Sequence, residues 1–145
     1  MVLLQTCKNI AMVFPLHYSL SRVGLPLIIT SSKPTLCFLI DTGASHNVLF
    51  SFVYAELQHL FFALEPKSNT SIMGIDGSTN NVSQVKGTIA FEDKQSEAIF
   101  SVVDATEVIS RVQKESGIQV HGILGIPFLV GNKWILDFDK LKISS

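Results

Sequence analysis

The sequence predicts an all-β domain, mainly β with one or two short helices, and three observations carry that reading. Short runs of β-branched and aromatic residues recur between clusters of Gly, Pro, Ser and Asp. Only two stretches repeat their apolar residues at helical spacing. The chain has 145 residues, 47% of them apolar and 16% charged, which is enough for one hydrophobic core and too short for two, so residues 1–145 are read as one domain.

Residues 25–30 (LPLIIT) and 35–40 (TLCFLI) form the first pair of strands, joined by a hairpin-like connection at Ser31-Ser32-Lys33-Pro34. Pro26 suits an edge strand or a strand's first position. Over residues 52–64 the apolar set Phe52, Val53, Leu57, Leu60, Phe61 and Leu64 has helical spacing, and Ser51 is placed to cap it. A polar, turn-rich stretch follows, in which Asp76-Gly77 is a two-residue hairpin signal. Residues 88–91 and 98–103 read as two more strands joined by Glu92-Asp93-Lys94-Gln95. A short helix is expected over 107–116, capped by Thr106 or Asp104, ended by Gly117, with Val108, Ile109 and Val112 inward. The apolar triplet Ile123-Leu124-Gly125, a short helical start at 126–129 and a strand around 134–138 complete the chain.

Composition excludes several classes of function. With 11 basic and 12 acidic residues and no like-charge run, no basic stripe exists for a phosphate backbone, so no nucleic-acid partner is expected. The longest apolar runs fall far short of the roughly 20 residues that span a bilayer, so no membrane partner is expected either. Cys7 and Cys37 are two separate thiols without a C-x-x-C pair or His at zinc-ligand spacing, so neither a metal nor another cofactor is expected. Cys37 sits in an apolar run and reads as a buried small hydrophobe. The first residues lack a basic region ahead of their apolar ones and make a poor secretory signal, so the cytoplasm is the expected compartment and the sequons at Asn69 and Asn81 carry little weight.

The chemistry-bearing feature is Asp41-Thr42-Gly43, where the apolar run Cys37-Phe38-Leu39-Ile40 stops. A strand ending in an acid directs its carboxylate into the space beyond the sheet; Thr42 offers a hydroxyl and Gly43 permits close approach of another segment. Alone, the tripeptide also fits an ordinary turn. Two further segments accompany it: Ser71-Ile72-Met73-Gly74-Ile75-Asp76-Gly77, and His121-Gly122-Ile123-Leu124-Gly125-Ile126-Pro127-Phe128-Leu129.

In this order and spacing the three segments resemble the retropepsin-type aspartic proteases of retroviruses and retrotransposons, over about residues 22–143. The stretch from Leu39 through Asp41-Thr42-Gly43-Ala44 to Asn47 is similar to their catalytic segment, and the stretch from Ile123 to Leu129 followed by Trp134–Phe138 resembles their closing segment. The resemblance implies a closed, barrel-like acid-protease fold of a single lobe, and an endopeptidase whose catalytic segment is Asp41, Thr42 and Gly43. Ile72, Met73, Gly74, Ile75, Asp76 and Gly77 would then form a flap over bound peptide, although Asp76 stands where a small residue is more usual. Ile123, Leu124 and Gly125 would support the catalytic loop from below.

Amide hydrolysis by water needs a base for the water and an acid for the departing amine. Two carboxylates about 3 Å apart share one proton and supply both roles. This chain carries one such segment, so the second carboxylate must come from another copy of Asp41, and a symmetric homodimer is expected with peptide or protein as substrate. The resemblance implies that each Thr42 hydroxyl bonds to the partner's backbone. Ala44 lacks the hydroxyl that pepsin-like enzymes place after the glycine, so the dyad is expected to hold its proton to higher pH. Other residues fare less well: Asp137-Phe138-Asp139 reads as a strand-end turn, His46 as a structural hydrogen-bonding group, and His17, His59 and His121 as surface or satisfied positions. The alternative from another class is a catalytically idle peptide-binding or dimerisation module on the same fold.

Overall fold

The computed structural model describes residues 13–65, 71–73, 79–81 and 83–145. The chain runs β1 (Val13–Pro15), α1 (His17–Val23), β2 (Leu27–Ile29), β3 (Cys37–Ile40), β4 (Asn47–Phe50), α2 (Ser51–Glu56), a 3₁₀ turn (Gln58–Leu60) and β5 (Phe61–Ala63). It continues through β6 (Ser71–Met73), β7 (Thr79–Asn81), β8 (Gln84–Phe91), β9 (Lys94–Val103), α3 (Thr106–Ser116), β10 (Gly122–Leu124), α4 (Ile126–Gly131), β11 (Ile135–Asp137) and β12 (Lys142–Ser144).

The main sheet has the order β2-β3-β10-β4-β9-β8-β5; a three-stranded sheet has the order β1-β12-β11, and β6 pairs with β7. The class is mainly β, as expected. The barrel-like closure is not found: among the described residues β2 and β5 remain the two free edges of the main sheet. Both are three-residue strands, and Pro26, without an N–H to extend a ladder, stands at the head of β2.

β2 and β3 pair antiparallel across the expected connection, which is closed by Thr30 N–H to the Leu36 carbonyl (2.9 Å) and by Leu36 N–H to the Thr30 hydroxyl (2.8 Å). β8 and β9 are longer than their apolar cores suggested and leave a two-residue turn at Glu92-Asp93. In β8 the buried Val85, Gly87, Ile89 and Phe91 alternate with the more exposed Gln84, Lys86, Thr88 and Ala90, the signature of a strand with one wet face. The helix expected over 52–64 breaks up into α2, the 3₁₀ turn and β5. Phe61, 8% exposed, lies opposite Gly87 of β8, so cross-strand packing overrides the helical spacing. Ser51 is the first residue of α2 and makes no side-chain cap. In α3, Gly117 ends the helix at φ 75° and Asp104 accepts the Thr106 N–H (3.1 Å). Ile109 is buried and Val112 half-buried, but Val108 points outward, 65% exposed.

The core gathers Phe38, Leu49, Phe100, Ile89 and Leu124, with the Phe38 and Phe100 rings stacked at 5.8 Å. A second aromatic group, Phe14, Phe91, Phe128 and Trp134, joins the three-stranded sheet to α4 and the β8–β9 hairpin. Asp137 accepts the Lys140 N–H (2.9 Å) in a turn leaving β11.

Candidate active site

The site is built where β10 enters between β3 and β4, the two strands that flank the Asp41 loop. β10 runs parallel to β3, with Ile123 opposite Leu39, and antiparallel to β4, with Ile123 opposite Val48. That close three-strand fit depends on Gly122: a β-carbon there would collide with the Val48 carbonyl oxygen and the Phe38 ring. β4 is buried at all four positions, which suits a strand lying mid-sheet.

Asp41 follows directly on β3 and is half-buried. Its N–H donates to the Leu124 carbonyl (3.0 Å), its carboxylate Oδ1 accepts the Gly43 N–H (2.8 Å), and its carbonyl accepts the Ala44 N–H (3.2 Å). Thr42 and Gly43 form the exposed tip of this turn. The loop returns through Ala44, whose carbonyl accepts the Ile126 N–H (2.9 Å). Gly125 is buried against this return: a β-carbon there would sit 2.6 Å from the carbonyl oxygens of both Ala44 and His46. Leu124 is fully buried and Ile123 half-buried. The structure therefore brings Asp41, Ala44 and the triplet Ile123-Leu124-Gly125 into one bonded unit, with Thr42 and Gly43 projecting from it.

The proposed flap is described only in its arms. β6 and β7 pair antiparallel, with Ile72 opposite Asn80 and Met73 opposite Thr79. Gly74, Ile75, Asp76 and Gly77, and with them the two-residue turn expected at Asp76-Gly77, lie outside the described residues.

One residue near the loop escaped the sequence reading. Asn47, 5% exposed at the start of β4, accepts the Gly125 N–H at Oδ1 (3.0 Å) and donates from Nδ2 to the Ile99 carbonyl (3.2 Å). Nothing local distinguishes this Asn from a turn residue; its partners lie 78 and 52 positions away. His121, read as a surface or satisfied position, is a satisfied one, at the far end of the three strands. Its Nδ1 accepts the Cys37 N–H (2.8 Å), which fixes the proton on Nε2, and Nε2 lies 3.2 Å from Gln119 Oε1. Burial pushes its pKa below the ordinary 6.5, partly opposed by the charge of Glu56. Burial raises the Cys37 thiol to about 11, which keeps it protonated and unreactive. His46 pairs with Ser45, Nδ1 to Oγ at 2.9 Å.

Among the described residues, no three His, Cys, Asp or Glu side chains gather into a group that could hold a metal ion, and no helix is long and apolar enough to cross a membrane. A cleft of about 500 Å³ borders the exit of the loop, with His46, Asn47, Ile99, Ser101 and Pro127 among its walls. Asp41 is not one of them.

No protein-family model and no curated protein matches the sequence. Solved structures do match the fold. One is EIAV protease complexed with the inhibitor HBY-793, 24% identical, with a TM-score of 0.53, covering 75% of this chain and 88% of that one. Another is a retropepsin-like aspartic protease from Rickettsia conorii, 14% identical, with a TM-score of 0.53, covering 92% of this chain and 90% of that one.

Proposed function

From the retropepsin-like fold that these structures share with the chain, we propose that the protein is an aspartic endopeptidase that works as a homodimer, its two Asp41 carboxylates forming the catalytic dyad. The observation that carries the reading is the setting of Asp41: a carboxylate at the end of β3, held by the Gly43 N–H, on a loop whose tip is exposed. One chain offers one such carboxylate on an open surface. A second copy facing it across a twofold axis supplies the other and completes a cleft.

Two carboxylates in that arrangement share a proton, and their titration belongs to the pair. The ionised member takes a proton from water as the water attacks the peptide carbonyl. The protonated member donates to the carbonyl oxygen, and the tetrahedral intermediate collapses as the amine leaves with a proton. The Thr42 hydroxyl of each chain would bond to the partner's backbone and fix the loops face to face. Peptide would bind extended, adding its main chain as a strand, with the β6–β7 hairpin closing over it and excluding water. Ala44, without a hydroxyl, leaves the dyad with one hydrogen-bond donor fewer than a serine would give.

The test is cleavage of a peptide library between pH 3.5 and 7 by the purified chain. Cleavage inhibited by a pepstatin-type statine, and reduced about 10³-fold or more in Asp41→Asn, is the expected outcome, given that general acid–base groups contribute roughly 10²–10⁴-fold. Asp41→Asn keeps an oxygen to accept the Gly43 N–H, so the loop should stay folded and the dimer should persist. A parent that cleaves nothing yet binds extended peptides, with affinity surviving Asp41→Ala, would identify an idle binding module instead.

A further inference from the structure

We propose that Asn47 is a positioning residue for Asp41, its carboxamide setting where the catalytic loop sits by tying the loop's exit to Gly125 and to β9. The inference rests on the reading of Asp41 as the catalytic acid.

Both partners of Asn47 lie where the strand ladders run out. β10 ends at Leu124, so the Gly125 N–H is just past the last paired residue. β4 pairs with β9 only from Asn47 opposite Phe100 onward, so the Ile99 carbonyl is just outside that ladder. A buried donor and a partly buried acceptor are thereby left to one side chain, and leaving the buried Gly125 N–H unpaired is costly. A carboxamide supplies one acceptor and one donor, and the partners fix its orientation: an N–H can only donate and a carbonyl can only accept. Ser is too short to reach both groups, and Ala offers neither bond.

The tie reaches Asp41 through three contacts. Leu124 takes the Asp41 N–H, Gly125 is wedged against the Ala44 and His46 carbonyls, and the Ile126 N–H holds the Ala44 carbonyl. Residues 124–126 therefore touch the loop on both sides of its tip. A displacement of Gly125 moves the two anchor points of Asp41 together, and misplacing a reacting group by about 1 Å costs on the order of 10²-fold in rate.

Asn47→Asp separates positioning from mere stability. The introduced carboxyl keeps an acceptor for Gly125, but when ionised it faces the Ile99 carbonyl with a lone pair instead of an N–H. When protonated it has an O–H to donate there. At pH 7 we expect kcat to fall about 10–100-fold with KM changed less than about threefold. The ratio to the parent measured at the same pH should recover as the pH is lowered and the carboxyl protonates. Asn47→Ala should lose kcat similarly at every pH, with no recovery. Asn132→Ala is the control: Asn132 also ties α4 to β9, accepting the Ser96 hydroxyl (2.8 Å) and donating to the Phe128 carbonyl (2.9 Å). It makes no contact of this kind with the loop, so its kcat per folded chain should match the parent's.

A parental kcat per folded chain in Asn47→Ala, or in Asn47→Asp across the pH range, overturns the proposal. Should Asn47→Asp fail to fold at pH 7, the Asn47→Ala value decides. A parent without activity would be a failure of the protease reading and not of this one. The readout then becomes the titration of the Asp41 carboxyl carbon by NMR: displaced in the Asn47 variants if the tie positions it, unchanged if it does not.

Discussion

The three strands β3, β10 and β4 are fastened at both ends, with different chemistry. At the base, His121 exchanges two bonds with Cys37, N–H to carbonyl at 2.8 Å and ring Nδ1 from N–H at 2.8 Å, and its carbonyl takes the Phe50 N–H (3.0 Å). At the Asp41 end the fastenings are Asp41 to Leu124, Ala44 to Ile126 and Asn47 to Gly125. The base therefore depends on an imidazole acceptor, whose pKa burial holds below the ordinary 6.5, whereas the frame at Asp41 is made of peptide groups and a neutral carboxamide. These fastenings at the Asp41 end carry no titrating group, so acid is expected to act first on the opposite end.

The comparison is broken most severely at Gly125. Gly125→Ala places a methyl 2.6 Å from two loop carbonyls. Overpacking of this kind costs about 1–3 kcal/mol, and a urea titration should show the loss together with reduced cleavage. A variant of parental stability and activity would mean that the frame yields easily.

The base is probed by pH. The folded-state pKa of His121 lies below its ordinary 6.5 because burial disfavours the imidazolium. Well above pH 6.5 the ring is neutral in both states and the Cys37 bond contributes fully. As pH falls from 6.5 toward the folded pKa, the unfolded chain takes up the proton first, so stability declines. The bond at stake is worth about 1 kcal/mol. His121→Asn, which presents a non-titrating oxygen near the Nδ1 position, should flatten the urea midpoint between pH 7.5 and 5; an unchanged slope would remove His121 from the account.

The smallest expected effect concerns the proposed dyad. Ala44→Ser adds a donor to the carboxylates and should move the pH–rate profile to lower pH by about one unit, the worth of a hydrogen bond to a charged group. A profile that stays put would show that residue 44, whose carbonyl is bound to Ile126, does not reach the carboxylates.

Local signals were legible and long-range ones were not. Asp41-Thr42-Gly43 closing an apolar run, the β2–β3 pair, the α3 terminus at Gly117 and the turn after β11 follow from residues within a few positions of one another. The stretch 52–64 misleads because Phe61 answers to Gly87 across the sheet and not to its helical neighbours. Val108 fits an inward helical face by spacing, yet only Ile109 of that turn is buried. Asn47 and His121 look like any polar residue beside a strand, since their partners come from distant segments that meet only after folding. The pairing of β1 with β12 leaves no sequence pattern either, for it joins residues at opposite ends of the chain.

Peptidase activity per chain, followed through a dilution series alongside sedimentation, tests the shared site most directly. The account predicts constant activity per chain while the protein is dimeric, and a steep fall toward zero below the dimer dissociation constant. Undiminished activity per chain at concentrations where sedimentation finds only monomers would contradict it.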